Sequence, residues 1–216
     1  MLWGANSDSG FFYVVDKLSG FALINLLWIV LAIPIITLPA ATGGLFAVMA
    51  DSVRGAEPEA FHRFFGGMRQ YWKKSTMIFV IDALLLLLVT ANLAILPGMD
   101  IPVQLEIITR AITIFVGVMV LAGNLYIWTL LVVFDLALPE LGKISMVLVF
   151  RHPIWTFFWL GTTLLVITAG VFVLPALIVI FTLFSGCVWL VARGAWRVIR
   201  QYEDELRTLS VSNRSE

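Results

Sequence analysis

Asp82 stands alone among the apolar residues of the run Met77 to Leu96. A carboxylate at the centre of a membrane helix costs roughly 2.5 to 3.5 kcal/mol on insertion scales, so it needs either a chemical role or a partner. A proton or substrate contact would be such a role. Pairing with a basic or amide group near one end of the span is the simpler reading. Asn92 and Asn124 lie deep in apolar runs, and Asn25 lies early in another. Amides in lipid bond to neighbouring helices at about 1 to 2 kcal/mol or less, so packing explains all three, with a polar cavity as the alternative. His62 and His152 are far apart, and neither belongs to an H-E-x-x-H zinc helix. The chain carries no P-loop, dinucleotide fingerprint or nucleophile elbow. The expectation is no metal, no cofactor and no enzyme. Asp51, Arg54, Asp135, Arg151 and His152 read as salt-bridging and orienting residues at a membrane rim, with catalysis at that rim as an alternative.

The elements that must hold these residues are membrane helices. Of 216 residues, 61% are hydrophobic and 13% charged, where a soluble domain carries about 25% charged residues. Apolar runs occupy residues 18–38, 77–96 and 111–134, each near the ~20 residues a helix needs to cross a bilayer. The run from Ile154 to Ala192 is nearly twice as long as one crossing requires, and it splits near Gly170 to Pro175 into spans over 154–173 and 175–192. The fold class is therefore all-α, a bundle of about five transmembrane helices in one membrane domain covering 1–216. Cys187 lies inside an apolar run and founds no disulfide framework. Net charge is zero, which gives no electrostatic case for a nucleic-acid partner.

Lys and Arg residues near span ends are retained in the cytoplasm. Arg54, Arg63, Arg69, Lys73, Lys74, Lys143, Arg151, Arg193, Arg197, Arg200, Arg207 and Arg214 fall on one side of five alternating spans, and Lys17 and Arg110 on the other. The expected orientation has the N-terminus outside and the tail 193–216 in the cytoplasm. Within the first long loop, Phe61, Phe64, Phe65, Met68 and Trp72 recur at helical spacing opposite His62, Arg63, Arg69, Gln70 and Lys73. They predict an amphipathic helix over 59–74, whose aromatic face either lies in the headgroup layer or packs on the protein's own helices. Pro34 and Pro39, followed by Ala-Thr-Gly-Gly, predict a broken end to the first span, with Thr37 or Thr42 satisfying freed carbonyls.

These motifs also carry a family likeness. Asn25 to Trp28 (NLLW), Pro34, Thr37, Pro39, Ala40, Thr42 and the Val53 to Gly55 triplet containing Arg54 resemble the opening of the YesL family, the domain of unknown function 624. Phe61 to Phe65 leading through Tyr71, Trp72 and Lys73 is similar to the family's loop. The stretch from Phe134 through Asp135 to His152 and Pro153 is similar to a later segment, although Val133 stands where relatives often carry a basic residue. The resemblance implies a bacterial multi-pass protein of the cell membrane, of unestablished activity, often encoded beside carbohydrate uptake or polysaccharide-degrading systems. The expected function is an accessory or regulatory component associated with carbohydrate uptake or utilisation. A small oligomeric transporter or channel is the first alternative, and a membrane enzyme at the cytoplasmic rim the second. Expected partners are the lipid bilayer, another membrane protein such as a carbohydrate transporter, or a second copy of the chain in a homo-oligomer.

Overall fold

The computed structural model describes residues 9–56, 59–98, 101–173 and 184–212, which form an all-α bundle without a strand. Its helices are α1 (Ser9–Ala32), α2 (Leu38–Val53), α3 (Ala60–Ile95), α4 (Val103–Phe134), α5 (Leu138–Arg151), α6 (Pro153–Val173), α7 (Phe184–Ile199) and α8 (Glu203–Ser212). Two helical segments, Ala60–Gly98 and Val103–Phe134, are long and apolar enough to cross a membrane, and the bent pair α5–α6 makes a third if it is one span. Leu84, Leu86, Leu87, Leu88, Ile107, Phe115, Phe157 and Leu165 are all exposed. A water-soluble protein does not leave such a belt uncovered, so the chain is a membrane protein.

The first departure from the sequence reading lies at the end of the first span. The residue before a proline is pushed out of helical conformation, and α1 stops at Ala32, ahead of Ile33 and Pro34, rather than reaching Leu38. Thr37 closes the turn: its N–H donates to the Pro34 carbonyl at 2.9 Å, and its hydroxyl donates to the Pro34 and Leu31 carbonyls. Pro39 then sits in the first turn of α2, where its missing N–H costs nothing. The Ala-Thr-Gly-Gly stretch, expected as loop, is thus the start of a second helix.

This helix folds back along α1. Trp28 Nε1 donates to Thr42 Oγ1 at 3.2 Å, a bond between residues equally far from the turn, and Ile24 shares a core cluster with Ala41, Leu45, Val48 and Met49. The exposed tip of the hairpin is wholly apolar, with Ile33, Ile35 and Ile36 at 75%, 74% and 88% exposure. Such a tip belongs in hydrocarbon.

The second departure concerns the amphipathic helix. It is no separate element, because α3 runs unbroken for 36 residues, about 54 Å, through Lys73 and Lys74 and on through the apolar span. Its buried stripe is Phe64, Gly67, Tyr71, Ser75 and Ile78, which packs on α2. Small residues permit the contact: a Cβ on Gly44 would meet the Phe64 carbonyl oxygen at 2.6 Å, and one on Gly67 the Ala47 side chain at 2.7 Å.

Antiparallel to α3, α4 starts eight residues before the predicted 111. After a left-handed stop at Asp135 (φ 52°) comes α5, a helix absent from the sequence reading. It buries Leu141, Ser145, Leu148 and Val149, and hydropathy missed it because it is only 14 residues long and is interrupted by Glu140, Lys143 and Ser145. The chain bends by 101° at His152, and Pro153 opens α6, which continues through Gly170 to Val173. The remainder of the predicted turn at Pro175, and the start of the span 175–192, lie outside the described residues. Beyond them α7 extends to Ile199, past the predicted start of the tail.

Candidate functional site: polar rungs and a basic end

Between α3 and α4 the polar side chains form rungs. Asn124 Nδ2 donates to Asp82 Oδ1 at 3.0 Å and to the Val120 carbonyl, while its own Oδ1 accepts from Trp128 Nε1 at 2.9 Å. The Trp128 ring stacks on Phe46 of α2, so this rung ties three helices together. Further along, Thr113 Oγ1 donates to Asn92 Oδ1 at 2.9 Å. Asn25, fully buried, accepts from the Ser185 N–H at 3.0 Å and joins α1 to α7, and the Tyr126 and Thr156 hydroxyls bond at 2.8 Å between α4 and α6. The four intramembrane candidates therefore do not converge on one cavity; each bonds across a helix pair. If Asp82 serves as an acceptor for Asn124, Asp82→Asn keeps that role through its amide oxygen. Its expected cost is below about 1 kcal/mol, read as a shift of no more than a few degrees in detergent melting. Asn124→Leu, which strands the carboxylate, should cost roughly 2 to 3 kcal/mol.

At the opposite end of these helices from the Leu96–Gly98 turn, charged groups gather. Lys74 Nζ donates to Asp135 Oδ1 at 2.6 Å and to the Asp135 and Leu136 carbonyls, both at 3.0 Å. Beside it, in the polar part of α3 that precedes the apolar run, Tyr71 donates to the Val132 carbonyl at 3.1 Å. Burial pushes the Tyr71 phenol above its ordinary range, against the opposing pull of Arg63, and keeps it a donor. Asp51 binds Arg63 at 2.6 Å and Arg54 at 3.6 Å, bracing the connection from α2 to α3. Burial works against the Arg63 cation, but the bond and charge of Asp51 outweigh it and raise its pKa. His152 Nε2 lies 3.0 Å from the Tyr202 hydroxyl, and the Arg151 guanidinium sits 5.0 Å from the same ring.

What the motif residues have in common is that they stop and turn helices. Pro34, Thr37 and Pro39 build the hairpin turn, and Trp28 straps it while its ring meets Phe184 at 4.7 Å. Arg54 ends α2, and Gly55 follows at φ 81°, a left-handed conformation open to glycine and strained for other residues. Asp135 ends α4, and His152 and Pro153 make the bend. Of the expected docking face, Phe64 is buried and Met68 partly so, whereas Phe61, Phe65 and Trp72 remain about half exposed. Sequence reasoning missed Gly43, Gly44 and Gly67 as packing residues, although their density around an apolar stretch signals close helix approach.

A family model described as a protein of unknown function, DUF624, matches residues 21–93. Residues 21–93, about a third of the chain, are similar to the DUF624 family. This stretch holds most of the α1–α2 hairpin and nearly all of α3, so the DUF624 match coincides with the small-residue contact and the two-part helix. The segment from Phe134 to Pro153 lies beyond the match. No curated protein and no solved structure matches the chain.

Proposed function

We propose that this chain is an accessory or regulatory protein of the bacterial cell membrane, without catalysis of its own, that docks on another membrane protein through the polar half of α3. One observation carries this reading. Phe61, Phe65 and Trp72 form a half-exposed aromatic ridge beside an exposed strip of His62, Arg69 and Lys73, on a helix whose other face is anchored against α2. A rigid aromatic ridge bordered by cations suits a partner whose cytoplasmic rim carries acidic residues. The connection to carbohydrate uptake or utilisation follows from the family resemblance. The expected result is a complex recovered by gentle extraction from native membranes, with the partner identified by mass spectrometry. Joint replacement of Phe61, Phe65 and Trp72 by Ala should abolish it while melting behaviour is kept. Recovery of the lone protein, or a complex indifferent to the triple variant, would refute docking there.

The orientation that best fits the hairpin differs from the outward N-terminus expected from five spans. From Lys17 to Ala32 and from Leu38 to Val53 the chain rises about 22 Å each way, which brings Lys17 level with the end of α2. Thirteen of the 14 basic residues then share the cytoplasmic side, and Arg110 alone faces out, paired with Glu106 at 2.7 Å. Both termini are cytoplasmic in this reading. Tags fused to either end should both resist protease in intact spheroplasts. Digestion of the N-terminal tag alone would restore the five-span orientation.

A further inference from the structure

At the basic end, Val53 of α2, Trp159 of α6 and Arg193, Trp196, Arg197 and Arg200 of α7 and the turn after it line a cleft of about 280 Å³. The spacing i, i+4, i+7 puts the three arginines on one face of α7, opposite the buried Ala192, Ala195, Val198 and Ile199. Among the described residues none of the three pairs with a carboxylate. Two of them are nevertheless held in place, and a neighbouring arginine covers a cleft-lining ring. Arg197 lies 4.3 Å from the centre of the Trp155 ring, Arg193 5.1 Å from that of Trp189, and Arg54 covers Trp196 at 5.5 Å. Aromatic faces orient a guanidinium without neutralising it. The Trp159 N–H, in the cleft wall, is buried and has no acceptor.

Three guanidinium forks around a small cleft, two of them oriented by rings and none paired with a carboxylate among the described residues, select a tetrahedral oxyanion such as a phosphate, which accepts bidentate bonds from Arg. What surrounds the cleft decides which phosphate. Phe158, 57% exposed, touches both Trp155 and Trp159 with ring centres 5.7 Å apart, and Ile154 beside it is 85% exposed. The cleft therefore adjoins apolar surface at the foot of a membrane helix. A free inorganic phosphate has no use for that surface, but an acyl chain does.

We propose that this cleft seats the phosphate headgroup of an anionic phospholipid, with an acyl chain lying against Ile154 and Phe158. Bound lipid would then clamp α2, α6 and α7 together at the basic end. The test is native mass spectrometry of the full chain with phosphatidylglycerol or phosphatidylcholine added in detergent. The wild-type protein should retain phosphatidylglycerol preferentially. Replacing Arg193, Arg197 and Arg200 by Gln should weaken its retention about a hundredfold, and replacing them by Lys, which keeps charge but removes the fork, should give an intermediate loss. The Lys variant also guards against misfolding of the Gln variant, since both must show wild-type melting in neutral detergent to be compared. Arg69→Gln with Lys73→Gln, which removes cations from α3, should leave retention unchanged. Equal loss in that control, unchanged retention in the Gln variant, or displacement of the lipid by millimolar inorganic phosphate would each overturn the proposal.

Discussion

Gly67→Ala should destabilise the protein where Gly66→Ala, one residue away, should not. A Cβ on Gly67 would lie 2.7 Å from the Ala47 Cβ and 3.3 Å from the Gly44 Cα, and neither neighbour has a flexible end that can move aside. Relief requires α2 and α3 to separate, which also loosens Phe64, Tyr71 and the α2 contacts with α4 and α7. Overpacking of this kind costs roughly 1 to 3 kcal/mol for small insertions, and Gly67→Leu should exceed that range. A Cβ on Gly66 meets nothing within 4 Å, so there the change from Gly to Ala should stabilise the helix by roughly 0.5 to 1 kcal/mol. Melting of the two purified variants in mild detergent reads the difference directly. Similar melting would mean that the α2–α3 crossing is looser than its glycines imply.

Lys74→Met should be the most damaging change among the charged residues. It removes three bonds at once, to the Asp135 carboxylate and to the carbonyls of Asp135 and Leu136, at the place where α4 stops in a left-handed conformation. The exposure of the pair, about a third for each side chain, screens the charge attraction, so the cost comes mainly from carbonyls left without a donor beside buried Leu136. The expected loss is about 2 to 3 kcal/mol, or roughly 4 to 12 °C in melting temperature for a chain of this size. Asp135→Asn keeps an acceptor and tolerates the left-handed backbone, so it should lose less than half as much. Asp135→Ala lacks both advantages and should approach the cost of Lys74→Met. If Asn and Ala behave alike at 135, neither the bond nor the backbone conformation matters there.

The same mechanism unites the motif residues. Pro34, Thr37, Gly55, Asp135 and Pro153 each sit at a helix end, and the bonds of Thr37 to the Pro34 carbonyl serve a single turn. A set of residues that fixes where helices stop specifies the shape of a bundle, which is what a protein needs if its function is to present surfaces. The two presented surfaces have different chemistry. The α3 ridge offers aromatic rings beside cations, and the α7 cleft offers oriented guanidinium groups beside apolar surface.

Composition alone determined the solvent of this protein, because 61% hydrophobic residues cannot be hidden inside 216. The apolar runs 77–96, 111–134 and 154–173 were legible, since hydropathy over about 20 residues is a local property, and they fall in α3 with the turn after it, in α4 and in α6. The breaking power of Pro34 and Pro39 was legible too, as was the capacity of Thr37 to satisfy the freed carbonyls. What followed the break was not. Leu38–Val53 is too short to announce a span, and only its burial among α1, α3, α4 and α7 reveals it as a packed helix that reverses the chain. In the proposed orientation that reversal returns the N-terminal end of α1 to the side of the other basic residues, so the hidden helix and the charge count agree. The pairing of Asp82 with Asn124, 42 residues apart, was likewise a tertiary decision. Sequence showed that the carboxylate needed a partner, and only the register of α3 against α4 could choose which one.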